Sequence, residues 1–234
     1  MRKRIILALA GVAALFSAQP AAAQARSGAG DWSILGAETV APGADVVHGE
    51  VGWPDTSFGW THGVNPGFDA GAKFSLLYGI ENTSESHFGI GFAVPLRWQL
   101  ARSGKARLLF HIDPGLRLYT FDPAPFGFQF PVGLNVEFAT HLPLKIGIGA
   151  DFNASLFVTG VASPQFFFGP LVGPYVEYHV DRNLAIGFDT RFGAIVDAYS
   201  SDTRFVPGLG YVGTDSGTDT RFGFRVQAMV AYHL

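Results

Sequence analysis

Apolar and polar residues alternate along most of this chain, most clearly at its end. Phe222, Phe224, Val226, Ala228, Val230, Tyr232 and Leu234 share one face, while Arg221, Gly223, Arg225, Gln227 and His233 share the other. A period of two marks a strand with one apolar face. The same alternation runs through 68–80, 87–101, 106–120, 126–139, 144–158, 166–180 and 184–199, with shorter segments at 45–53 and 56–63. The pattern predicts an all-β chain of about ten strands, within a range of 8–12.

Charge placement sharpens this. In the eight segments after Phe68 the charged residues are Asp69, Lys73, Arg97, Arg107, Asp113, Arg117, Glu137, Lys145, Asp151, Glu177, Asp189, Arg191, Asp197, Arg221 and Arg225. All lie opposite the apolar stripe. Arg102, Asp122, Arg182 and Asp202, which break the parity, fall in predicted turns.

Alternation does not say which face is inside, and a lipocalin-like soluble barrel alternates as well. Three features favour an apolar exterior. Glycines such as Gly71, Gly89, Gly91, Gly115, Gly133, Gly147, Gly149, Gly173, Gly187 and Gly193 sit on the polar face, which suits a crowded lumen. The long segments match the tilted span that a bilayer requires. The apolar stripe carries no charge, and Arg or Lys at mid-bilayer costs roughly 2–4 kcal/mol. The expected fold is a transmembrane antiparallel up-and-down β-barrel over 45–234.

Turn lengths orient it. Asn65 to Gly67, Arg102 to Lys105, Thr140 to Pro143 and Asp181 to Asn183 are tight, whereas Glu81 to Ser86, Thr159 to Gln165 and Ser200 to Thr218 are longer. Outer-membrane barrels have short periplasmic turns and longer outer loops, so an even strand count places both termini in the periplasm. Trp98, Tyr178 and Tyr232 then fall near the periplasmic rim and Tyr78 near the outer one, as interface aromatics. Pro95, Pro114, Pro131, Pro170 and Pro174 lie inside predicted strands, where each removes a ladder donor. Bulges or kinks are expected there.

The first residues name the compartment. Arg2, Lys3 and Arg4 precede the apolar run Ile5 to Phe16, then Pro20 and Ala21-Ala22-Ala23. This reads as a signal peptide over 1–23, with Ala25 as a second cleavage point. Residues 24–44 follow as a periplasmic lead-in or a partial first strand around Ser33 to Val40. Without the leader, 13 basic residues face 19 acidic ones, a net charge of −6 that argues against nucleic acid. The absence of cysteine removes disulfides and thiolate metal sites.

The leader, the alternating strands and the terminal segment Phe222 to Leu234 resemble bacterial outer-membrane β-barrel proteins. Tyr232 occupies the third-last place, commonly aromatic in that superfamily, although the chain ends on Leu rather than the usual Phe. The resemblance implies a Gram-negative outer membrane, surrounding lipids and insertion by the barrel-assembly machinery. It specifies no subfamily.

Chemistry is sparse. With Glu50, the inward charges number eight of each sign. That balance predicts an ion-paired lumen, with Arg117, Glu137, Asp151, Glu177, Arg191 and Arg225 as its network and a structural or surface role, or a narrow small-solute pore. The alternative is a lipid-modifying enzyme of the lipid A acyl hydrolase type, which needs a Ser near a His and a carboxylate. Ser84, Ser86 and His87 are its weak candidates at the outer rim. An omptin-like protease site would draw on His87 with Asp197, Asp202, Asp215 and Asp219. His48 with Glu50, and Glu177 with His179, share faces but form no metal pattern, and no cofactor motif is present.

Overall fold

The computed structural model describes residues 32–81, 88–104, 106–120, 125–138, 140, 142–158, 164–199, 203–206, 210–213 and 217–234. The predicted leader and the candidates Ser84, Ser86, His87, Asp202 and Asp215 lie outside them.

Ten antiparallel strands close into one barrel. They are β1 (Asp45–Trp53), β2 (Asp55–Asn65), β3 (Phe68–Leu77), β4 (Gly89–Ala93 and Leu96–Arg102) and β5 (Ala106–Ile112 and Gly115–Tyr119). There follow β6 (Phe126–Gln129 and Val132–Phe138), β7 (Leu144–Val158), β8 (Gln165–His179), β9 (Leu184–Tyr199) and β10 (Gly217–His233). Each strand pairs with its neighbours in sequence, and β1 also pairs with β10, from Val46 opposite His233 to Trp53 opposite Val226. Closure leaves no free sheet edge. A small hairpin, Thr203–Val206 with Gly210–Gly213, stands apart between β9 and β10.

The alternation becomes two surfaces. Outside, Phe58, Phe74, Phe92, Ile148, Phe152, Val172, Phe188, Phe192, Phe222 and Val230 are exposed. Inside, Glu50, Asp69, Arg97, Arg117, Glu137, Lys145, Asp151, Glu177, Asp189, Arg191 and Asp197 are buried. Asp45 is an outward charge in β1 at the rim: it accepts from Trp60 Nε1 at 2.9 Å and meets His62 at 2.8 Å. Arg102, expected in a turn, is the last residue of β4. An irregularity between Gln99 and Ala101 reverses the parity there, which turns Arg102 inward to 3.6 Å from Glu38.

The prolines act in two ways. Pro95, Pro114 and Pro131 each split a strand, in adjacent β4, β5 and β6. Their carbonyls still accept across the break, from Gly71, Val94 and Asp113. Pro170 and Pro174 stay within β8, and the β8–β9 ladder skips both, each time with the preceding glycine. Backbones crowd there: a Cβ on Gly173 would lie 2.1 Å from Thr190 O.

Residues 32–44 form no strand. They lie across the barrel mouth at the end that holds the chain terminus, called here the terminal end. The opposite end carries the longer connections and is called the loop end.

Candidate functional site: a lumen occupied at both ends

The terminal end is filled by Trp32 to Val40. Glu177 Oε2 accepts from Ser33 Oγ at 2.8 Å, Leu35 N at 2.9 Å and Ile34 N at 3.1 Å. Glu137 Oε2 accepts from Ala37 N at 3.0 Å, and Asp69 Oδ2 from Val40 N at 2.9 Å. Arg97 donates to the carbonyls of Ser33, Ile34 and Glu38 at 2.6–2.8 Å and to Asp69 at 2.9 Å. Gln99 and Asn135 donate to Ala37 O and Leu35 O, both at 3.0 Å. Trp32 packs with Val46, Ala185, Met229 and Ala231, edge-on to His179, while its Nε1 donates to Arg182 O at 3.0 Å. A buried main chain outside any ladder must find partners elsewhere. Here the wall's charged side chains supply them.

Glu38 points into the same cluster, with Lys145, with Arg107 at 2.9 Å and with Arg102. Burial alone would raise its carboxyl, but the charges of Lys145 and Arg107 outweigh that and hold it below the ordinary carboxylate range.

Above this segment is a cavity of about 160 Å³, with Ile34 and Leu35 in its floor and Leu77 in its lining. Its walls hold linked charges. Asp151 meets Arg225 at 2.8 Å, His111 at 3.1 Å and Arg191 at 3.5 Å. Asp189 meets Arg225 at 3.0 Å and also Arg191. In the same cavity Glu50 meets Lys73 and His48, and Arg117 grips Glu81 with both terminal nitrogens. Glu81 follows β3 outside any strand; burial raises its carboxyl, and Arg117 more than offsets this, so it too is lowered.

At the loop end the inward face carries an apolar cluster beside buried Gln165 and Asp197. Leu77, Ile80, Tyr119, Phe157, Phe167, Leu171 and Ile195 form one buried cluster drawn from β3, β5, β7, β8, β9 and the residues after β3. Elements on opposite walls share this cluster, so it crosses the lumen. Tyr119 Oη donates to Gly79 O at 3.2 Å, which ties β5 to the chain after β3.

The six residues expected to form one lumen network are all inward and buried or half-buried, but they divide. Asp151, Arg191 and Arg225 come together in the middle. Glu137 and Glu177 hold the N-terminal segment instead, and Glu137 also pairs with Arg107. Arg117 pairs with Glu81, which the pattern had assigned to a loop. Among the aromatics, Tyr178 and Tyr232 are exposed near the terminal end, and Trp98 is stacked between Phe68 and Phe110 on the same rim. Tyr78 sits at the loop end, its hydroxyl donating to Asp55 O at 3.1 Å.

Two groups escaped the sequence reading. The apolar cap was legible in principle: Leu76 to Tyr78, Leu156 to Val158 and Phe166 to Phe168 are apolar on both faces, not one. The N-terminal segment has no firm periodicity, and the partial first strand expected around Ser33 to Val40 does not form. Among the described residues no group of three or more His, Cys, Asp or Glu is arranged to hold a metal ion. No protein-family model matches this chain, and no curated protein matches it either.

Proposed function

We propose that this protein is an integral outer-membrane β-barrel with a structural or surface role, and that its lumen is closed to solutes. The observation that carries the membrane reading is the exterior: a belt of exposed Phe, Val, Ile and Leu encircles strands whose charges point inward. Soluble monomers rarely expose contiguous apolar patches beyond a few hundred Å², whereas hydrocarbon requires such a surface. Short turns at the terminal end and longer connections at the other support a periplasmic terminal end and an extracellular loop end.

The closed lumen argues against the narrow-pore alternative. A polar-held segment fills one mouth and an apolar cluster crosses the other, with the cavity between them. The enzyme alternative rests on Ser84, Ser86 and His87, and no observation on the described residues favours it.

Two measurements test the reading. Purified protein should partition into lipid vesicles or detergent, and a stable monomer in detergent-free buffer would end the membrane assignment. Inserted in planar bilayers it should conduct no ions, and steady channels at low voltage would overturn the closed lumen.

A further inference from the structure

The contacts at the terminal end divide by chemistry. Wall carboxylates take the segment's N–H groups: Glu177 from Ile34 and Leu35, Glu137 from Ala37, Asp69 from Val40. Wall cations and amides take its carbonyls: Arg97, Lys145, Gln99 and Asn135 reach Ser33, Ile34, Glu38, Trp32, Ala37 and Leu35. Such a surface reads a main chain and is largely indifferent to side chains, apart from the Trp32 pocket, Ser33 and the Glu38 cluster. Among the described residues, main-chain hydrogen bonding to the wall begins only at Gly43, which donates to Gly63 O at 2.8 Å. The barrel itself closes without the segment, through β1 and β10.

We propose that the terminal half of the lumen is a binding site for a peptide segment in irregular conformation, occupied in cis by Trp32 to Val40, which act as a releasable gate to the cavity. Release breaks no strand pairing. It exposes three acidic and three basic wall groups, Asp69, Glu137, Glu177, Arg97, Arg107 and Lys145, to the solution at that mouth. The pull toward rebinding is then strong, because hydrogen bonds to charged groups are stronger than neutral ones and the vacated wall groups lose their partners. The apolar cap keeps the other mouth closed, so the opened lumen is a one-ended pocket and not a channel.

The chain has no cysteine, so single thiols report cleanly. Ala37→Cys places one on the segment and Ser75→Cys one in the cavity, both at buried positions. Each is made in the full chain, folded in detergent, and challenged with a small charged thiol reagent. Both thiols should react slowly in the parent. Adding Trp32→Ala should accelerate both together, on the order of tenfold or more, as expected for a shared local opening. A synthetic peptide of residues 32–40 in excess should displace the segment, raising the rate at Ala37→Cys, and should protect Ser75→Cys in the Trp32→Ala background. Gln99→Ala, which removes one contact to Ala37 O, serves if Trp32→Ala fails to fold. Equal protection of both thiols in folded parent and variants, with no response to peptide, overturns the proposal and makes the segment a fixed part of the wall. Faster reaction in the variants with no effect of peptide overturns the peptide site. Because the assay needs the folded barrel and not a bilayer, its failure is separate from failure of the membrane reading.

Discussion

The two ends of this lumen are occupied by opposite means. At the terminal end, an irregular segment is held through charged side chains that bind its main chain. At the loop end, Leu77, Tyr119, Phe157, Phe167, Leu171 and Ile195 pack against one another, with buried Gln165 and Asp197 beside them. The first seal is directional: each donor faces a particular acceptor, and removing one strands the other in a buried site. The second depends on volume and area, which many apolar shapes can satisfy. One barrel therefore tests both kinds of closure in a common frame.

The largest effect should come from Arg97→Ala. Arg97 is buried, pairs with fully buried Asp69, and donates to three carbonyls of the segment. Its loss leaves a buried carboxylate uncompensated, which typically costs about 3–5 kcal/mol. Urea unfolding of the refolded barrel in detergent should show a destabilisation of that size. A change under 1 kcal/mol, on the order of that at an exposed pair, would mean that the segment contributes little to the fold.

Leu171→Ala strikes the other seal. Leu171 is fully buried among Phe167, Ile195 and Tyr119, so truncation leaves an apolar cavity at a cost of about 2–4 kcal/mol. The lost stability should come without exposure of the Ala37→Cys thiol, since the terminal seal shares no residue with this cluster. Reaction of that thiol in folded Leu171→Ala protein would show that the two seals are coupled.

The contrast also explains what the sequence revealed. Barrel closure, strand parity and inward charge were legible because an apolar exterior and a polar interior impose the same period on every strand, as from Phe222 to Leu234. Arg102 was misread because one irregularity near Gln99 reverses parity, and nothing local marks it. Glu137 and Glu177 face inward, but their partners in the N-terminal segment include main-chain groups a hundred or more positions away. A main-chain partner has no residue type, so pattern reading cannot find it. The apolar cap was legible only in principle, as runs without alternation such as Phe166 to Phe168.

Conservative exchanges should separate the seals further, at smaller amplitude. Leu171→Met keeps volume and polarity, and such swaps usually cost less than about 1.5 kcal/mol. Arg97→Lys keeps the charge but loses the planar fork that reaches Asp69 and several carbonyls at once. Equilibrium unfolding should therefore rank Arg97→Lys as the more damaging, and the reverse order would remove directionality as the difference between the two seals.

Acid should give the smallest and most selective effect. Glu38, which belongs to no strand, has a folded-state carboxyl lowered from its ordinary value of 4.5 by Lys145 and Arg107 against the penalty of burial. A depressed carboxyl contributes stability that is fully present above its unfolded value and is lost as pH falls through its folded one. Reaction of the Ala37→Cys thiol, corrected for the reagent's own pH dependence, should thus be flat from neutral pH to about 5 and rise only below the ordinary Glu range. Glu38→Gln should abolish the part of that rise due to this group. A rise already complete at pH 6 would assign release to a different group and break the link between Glu38 and the terminal seal.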